Sequence, residues 1–312
     1  MIWNDRWMEL QQMRYVVAVA EERNFTRAAE RSFVVQSALS HQIKSLEREL
    51  GVSLFARTSR RVELTAAGEA FLLHACAALE AADRAAADAA AAAGEVRGTL
   101  TIGLIPTVTA IDVPAELARF RQRFSAVRIR LHGGGSDEFV AAIRRGEMDV
   151  AVLGLAESTP PTGVATRVLA RERLVAVLPA GHRLASRKRL RLADLAEEPF
   201  VDFPASSPGR AQSDLAFAAA SVRRNVELEA MSTDLILGLV RNGLAVAILA
   251  EPIATATDGV RTVPLADGPV RLEYLAWSEF NPSPAATAFL RSARSAGDGP
   301  QEADYRPSAE QT

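Results

Sequence analysis

The chain has one cysteine, Cys76. No intramolecular disulfide can form, and a reducing cytoplasm is the expected setting. On a helix, a lone thiol reads as a small packed residue rather than a redox centre. Histidines are also few, and the four present (His41, His74, His132 and His182) are widely scattered, so no metal-ligand cluster is expected. There is no Gly-x-Ser-x-Gly elbow and no Walker loop, and Gly133-Gly134-Gly135 is too short to cradle a phosphate. These absences predict a protein that is not an enzyme and carries no cofactor and no metal. Long apolar runs are missing too. The longest low-charge stretch, near Ala85–Gly94, is alanine and too short and weakly apolar to span a bilayer. The opening MIWNDRWMEL lacks the positive start and apolar core of a signal peptide.

What is present is a chain of 312 residues, 48% apolar and 24% charged. That is enough for a packed core and suggests about two or three domains. The net charge of −2 advertises no global attraction to nucleic acid. The distribution is uneven, however. Between Arg23 and Arg61 stand eight Lys/Arg against three acids, a local excess of five positive charges.

That basic segment carries helical patterning. Leu10, Met13, Val17 and Ala20 are expected to form one buried stripe over residues 9–22. Asn24 and Thr26 are candidate caps for a short helix over residues 27–31. A third helix runs from about Gln36 to Leu50 with Leu39, Ile43, Leu46 and Leu50 on one face, and Gly51 ends it. Its other face carries Ser37, Ser40, His41, Lys44 and Arg48. This order fits a helix-turn-helix, although an ordinary amphipathic helix would show the same spacing. Arg57, Arg60 and Arg61 then sit in and beside a polar turn between Phe55 and the pair Val62/Leu64, as in a two-stranded basic wing. Residues 66–93 hold 16 alanines in 28 positions. They predict one long helix with a heptad seam of Leu72, Leu79, Ala86 and Ala93, and a flexible linker is the plainer alternative.

From Thr99 onward, strand-like and helix-like runs alternate, which predicts an α/β fold with a mostly parallel sheet. Pro160-Pro161 and the run near Ala266–Pro269 are expected to cross between two lobes. Residues 297–312 are polar and without periodicity, and are expected to form a disordered tail.

Met8–Leu64 resembles the DNA-binding domain of LysR-type transcriptional regulators. The matching pieces are Phe25-Thr26-Arg27-Ala28-Ala29-Glu30, Gln36-Ser37-Ala38-Leu39-Ser40-His41-Gln42-Ile43, Leu46-Glu47, Leu50-Gly51, Leu54-Phe55, Arg57 and Leu64-Thr65. A looser likeness continues through Leu100–Thr107, Gly146–Val152, Leu178–His182 and Gly238–Ala247. The resemblance implies a winged helix-turn-helix over 8–65, a linker and dimerisation helix over 66–95, and a two-lobed, periplasmic-binding-protein-like effector domain over 99–295. Its first lobe spans about 99–160 plus 269–295, and its second about 165–265. It also implies binding to double-stranded DNA at an interrupted inverted repeat near a promoter, control by a small-molecule effector, and assembly as a dimer or tetramer. A contact with RNA polymerase is compatible with that role, and no membrane partner is implied. Such proteins usually begin at the equivalent of Met8, so residues 1–7 read as an upstream extension or a misplaced start.

The DNA candidates are Thr26, Gln36, Ser37, Ser40, His41, Lys44, Arg57, Arg60 and Arg61. His41 stands where such proteins commonly have arginine; it is shorter and has no permanent charge, which bears on affinity and preferred sequence. The effector candidates are Thr107, Ser136, Ser206, Ser207, Ser232 and Thr233, hydroxyl residues where strands or loops hand over to helices and where an anionic metabolite could meet free N–H groups. Plain helix capping explains each of them equally well on its own. Phe71, Leu72 and Leu79 are the dimerisation candidates. Two other functions are weighed on sequence grounds: a solute receptor dimerised by its N-terminal helices, which leaves the basic wing unused and predicts a secretion signal that the opening residues do not resemble, and a DNA-organising protein with no effector.

Overall fold

A computed structural model describes residues 8–57, 62–205, 207–255 and 257–293. The chain divides into two compact units, Met1–Gly94 and Glu95–Thr312. The tail over 297–312 and the extension over 1–7 lie outside the described residues.

The first unit contains helices α1 (Leu10–Glu22), α2 (Phe25–Arg31) and α3 (Gln36–Leu50), then strands β1 (Phe55–Arg57) and β2 (Val62–Leu64), then helix α4 (Ala66–Ala92). Asn24 starts α2 by accepting from the N–H groups of Thr26 and Arg27 at 2.8 and 3.0 Å. Gly51, at φ +71°, ends α3 in the left-handed conformation. Val16, Val19, Ala28, Leu39, Ile43, Leu46 and Leu54 bury their side chains in one core. The carboxylate of Glu47, on α3, accepts from the N–H groups of Leu54 and Phe55 at 2.8 and 3.2 Å, which pins the antiparallel β1–β2 hairpin to the helix. Thr65 caps α4 through Gly68 N–H and donates to the Ser53 carbonyl at 2.7 Å.

α4 is one continuous helix, as the alanine content predicts. Its first turns pack on the unit itself: Phe71 lies against the buried core and Ala75 is buried. Phe71, a dimerisation candidate, thus lends part of its ring to the chain's own core and is half-buried. Leu72 and Leu79 are half-buried on the same helix.

Among the described residues the second unit has a five-stranded, a three-stranded and a two-stranded sheet. The five-stranded one follows the order β4-β3-β5-β12-β6. Its strands and helices are β3 (Gly98–Leu104), α5 (Val113–Arg123), β4 (Val127–Gly133), α6 (Ser136–Arg145), β5 (Val150–Ala156) and β6 (Ala165–Arg173), with β12 (Val270–Trp277) and α10 (Pro284–Ser292) returning from the chain's end. β4, β3 and β5 are parallel, whereas β12 runs antiparallel to both its neighbours, so this sheet is mixed. Apolar clusters centred on Phe120 and Phe139 coat its two faces.

The second lobe comprises β7 (Val175–Pro179), a short 3-10 turn at Leu192–Leu195, β8 (Pro199–Asp202), α7 (Pro208–Ala219), β9 (Asn225–Glu229), α8 (Thr233–Arg241), β10 (Ala247–Leu249), α9 (Glu251–Thr255) and β11 (Val260–Pro264). β10-β7-β11 pair antiparallel, β8 pairs parallel with β9, and a parallel bridge between Phe200 and Val246 joins the two groups. Arg224 stacks over Phe200 and Phe217 and binds Asp202 and Asp214 at 2.6 Å each, tying β8 to α7. Burial pushes the Asp202 carboxyl above its ordinary range, partly offset by Arg224.

Two expected boundaries change. β6 belongs to the first sheet, so the second lobe begins at Leu174 rather than near 165. Pro160-Pro161 is consequently a loop inside the first lobe. The crossings are at Leu174, whose N–H donates to the Pro269 carbonyl at 3.0 Å, and at 265–269. β6 escapes the sequence pattern because it is an edge strand studded with Arg167, Arg171, Glu172 and Arg173.

Gly68 offers a test of the first unit. Alanine inside a helix ordinarily stabilises relative to glycine. Here a Cβ would collide with the Leu54 backbone carbonyl, which cannot retreat without losing its bond from Thr65 N–H. Gly68→Ala is expected to lower stability by about 1–3 kcal/mol, measured by denaturant unfolding of the full chain. A gain in stability would contradict this packing.

Candidate nucleic-acid interface and ligand cleft

α3 separates its faces cleanly. Leu39, Ile43 and Leu46 are inaccessible to solvent, while Gln36, Ser37, His41 and Lys44 are exposed and Ser40 is half-exposed. Ser37, His41, Lys44 and Arg48 follow one another at three- and four-residue steps, so they line one outward ridge. Val35 precedes the helix without a side-chain cap, and its carbonyl accepts from Ala38 N–H at 3.1 Å. Thr26 is exposed on α2, and its N–H is taken up by Asn24. Arg57 lies on β1. Arg60 and Arg61, and with them the wing tip, lie outside the described residues.

The basic excess is smaller than the local count implies. Arg27 and Arg31 pair with Glu21 and Glu22, which lie just upstream of the counted segment. Lys44 and Arg48 remain on the exposed side of α3.

In the second unit a cleft of about 540 Å³, counting solvent at its mouth, lies between the lobes. Its apolar wall includes Ile105, Leu174, Phe203, Met231, Ile248 and Leu249, and its polar lining is Thr107, Ser136, Ser207, Gln212 and Arg271. Of the effector candidates, Thr107, Ser136 and Ser207 meet there. Ser232 and Thr233 are not among its lining residues. Ser232 is exposed and caps α8 by accepting from Leu235 N–H, so the capping explanation suffices. Ser206 lies outside the described residues.

The hydroxyls in the cleft are already engaged. Ser136, buried at the start of α6, donates to the Gly154 carbonyl at 3.2 Å and accepts from Gly154 N–H at 3.0 Å. Ser207 caps α7 through Arg210 N–H. Thr107 Oγ1 accepts from Arg271 Nη1 at 2.6 Å. Gln212 on α7 donates to the same Gly154 carbonyl at 2.9 Å and so bonds one lobe to the other.

Sequence reasoning missed Arg271, Glu273, Glu172 and Gln212. Arg271 is buried and binds Glu172 and Glu273 at 2.5 and 2.6 Å. Glu273, fully buried, also accepts from the N–H groups of Thr109 and Ala110 at 3.0 Å each. Arg271 Nε is buried with no hydrogen-bond partner. A signal existed: Arg271 and Glu273 are two apart in an otherwise apolar strand, hence on one face, and buried charges inside a strand imply pairing.

Elsewhere, burial pushes the Cys76 thiol above its ordinary range, which keeps it in the poorly nucleophilic protonated form. No described helix is long and apolar enough to cross a membrane, and no group of three or more His, Cys, Asp or Glu among the described residues could hold a metal ion.

The model for the bacterial regulatory helix-turn-helix protein, lysR family, matches residues 10–69, and that for the LysR substrate binding domain matches residues 93–298. The transcriptional regulator IlvR of Caulobacter vibrioides is 34% identical over 298 residues, spanning 94% of this chain and 100% of the relative. The Hca operon transcriptional activator HcaR of Escherichia coli is 38% identical over 244 residues, spanning 78% and 81%. Among solved structures, full-length CbnR in complex with its target DNA superposes with a TM-score of 0.70 at 26% identity, covering 92% of this chain and 100% of that one.

The Ser136–Gly154 pair yields a prediction. Ser136→Ala removes both hydroxyl bonds in a buried setting. It should cost about 1–3 kcal/mol of stability in the absence of any ligand, read by thermal or denaturant unfolding. Unchanged stability would free Ser136 from this structural role.

Proposed function

The chain belongs to the LysR family of transcriptional regulators, and from that premise we propose that it reads duplex DNA with the outer ridge of α3 and the wing, as a dimer or tetramer, under control of a small molecule held in the cleft between the lobes. The observation that carries the DNA-reading part is the division of α3 into a sealed apolar face and an exposed ridge of hydrogen-bonding and basic side chains. Such a ridge suits base edges and phosphates in a major groove. The solute-receptor alternative gives that ridge no task.

For the effector, the largely apolar lining of the cleft favours an apolar body with one strong acceptor group. Arg271 lines the cleft beside Thr107, and a carboxylate is the strongest acceptor for a guanidinium. Against a multiply charged anion stand Glu172 and Glu273, which already occupy the guanidinium. The Gln212–Gly154 bond crosses from lobe to lobe, so a ligand beside it could bias the angle between lobes by the difference in its affinity for the two arrangements.

Two experiments test the two halves. With duplex from immediately upstream of its own gene, affinity should fall steeply with salt. Lys44→Ala should flatten the log–log slope by about 0.9, one phosphate's worth. An unaltered slope would remove Lys44 from the phosphate contacts. For the cleft, a panel of small carboxylic acids and their matched amides is screened by melting temperature. At a hundredfold excess over its Kd, a binder should stabilise by about 2.7 kcal/mol. Met231→Trp, a change at a half-exposed cleft residue, should abolish that shift while leaving the unliganded melt in place. A retained shift would place the site elsewhere. Equal binding of acid and amide would discard the anionic part and keep the cleft.

A further inference from the structure

The turn between α2 and α3 contains a feature that the fold does not reward. Phe33 is 96% exposed and its backbone sits at φ +55°. A bulky residue in the left-handed region is strained, and glycine or asparagine would occupy the position more readily. The turn itself is held by backbone bonds, Phe33 N–H to the Glu30 carbonyl at 3.1 Å and Val34 N–H to the Ala29 carbonyl at 3.0 Å. Neither bond requires the ring. Val35, two residues on, is also 68% exposed.

Single exposed apolar side chains are common and need no explanation. Phe280 is as exposed as Phe33, but it is not among the residues with positive φ. Phe33 combines full exposure, backbone strain and an apolar neighbour, and it lies three residues before Gln36, where the exposed ridge of α3 begins. The left-handed turn closes α2 through its two backbone bonds, a task that glycine would perform without strain, so an exposed phenylalanine kept there points to a use outside the fold.

We propose that Phe33 is a DNA-contact residue, packing its ring with Val35 against the deoxyribose of the backbone strand that passes the start of α3. The inference rests on α3 being the DNA-facing helix. Its apolar lip is continuous with that ridge, and sugars are the apolar surface that a backbone strand offers beside each phosphate. The contact is sequence-independent: it adds affinity and fixes the register of α3 without reading a base.

The test uses Phe33→Gly and Phe33→Asn, two residues that tolerate positive φ, in the full chain. Affinity is measured for duplex from upstream of its own gene and for a scrambled duplex of equal length. Melting temperature and sedimentation are recorded alongside. Both variants should bind both duplexes more weakly by a similar factor, about tenfold, with the oligomeric state and the salt slope preserved, since no charge is removed. Phe33→Gly should melt at the wild-type temperature or above it. Unchanged affinity would overturn the contact. A loss confined to the upstream duplex would replace the sugar contact with base reading and overturn the proposal as stated. Loss of the oligomer would assign the ring to self-association, and unfolding of both variants would assign it to packing; either result overturns the proposal. The Lys44→Ala salt slope, measured separately, reports whether α3 faces DNA at all.

Discussion

The backbone of Gly154 is the point on which the second unit turns. Its carbonyl accepts from Ser136 on α6 of its own lobe and from Gln212 on α7 of the other, while its N–H is bound by the same serine. A buried carbonyl has two lone pairs to satisfy, and here they are met from opposite sides of the cleft. The residue must also lack a side chain, because a Cβ would press on Ile105 Cδ1 at 2.7 Å and on Arg271 Cδ at 3.3 Å. Several features follow. α6 starts where Ser136 can reach β5, and α7 is docked across the divide. Arg271 can cross over the strand to Glu172 and Glu273.

A comparable economy governs the first unit. Gly68 lets the start of α4 approach the Leu54 carbonyl, and Glu47 fastens the wing to α3 by two backbone bonds. The base of the β1–β2 hairpin is thereby tied to α3, which a reader of DNA needs, because base contacts discriminate only when the side chains that make them are held in place. The apolar face of α3 pays for this rigidity by burying Leu39, Ile43 and Leu46 completely. The outer face is left free to carry whichever polar residues recognition calls for.

Much of this was legible in the sequence, for identifiable reasons. α3 was readable to the residue because Leu39, Ile43 and Leu46 repeat at helical spacing and Gly51 stops the chain. α4 followed from alanine's helix propensity. β6 was not legible, since an edge strand touching one neighbour has no need of an apolar alternation. The cleft was half legible. Thr107, Ser136 and Ser207 do meet there, but the spacing of hydroxyls before helices cannot separate them from Ser232, which is a cap. Spacing also could not show that the three hydroxyls are already bonded within the protein. Arg271 and Gln212 belong to the cleft through sheet order and lobe docking, properties of the three-dimensional arrangement alone. The pairing of Arg27 and Arg31 with Glu21 and Glu22 was missed because both acids lie just before Arg23, where the basic segment starts.

In the proposed function, a DNA-reading helix and a cleft between lobes are coupled within one chain. Coupling free energy is reciprocal, so DNA must act on the cleft as surely as a ligand acts on DNA binding. This allows a test without knowing the effector. Amide hydrogen exchange of the full chain, with and without saturating duplex from upstream of its own gene, reads both places at once. The account predicts protection along α3 together with altered exchange at Gly134–Ser136 and Ser207–Gly209, which border the cleft. Protection of α3 with every cleft amide unchanged would contradict it, leaving a DNA-binding protein whose second unit is not coupled to the first.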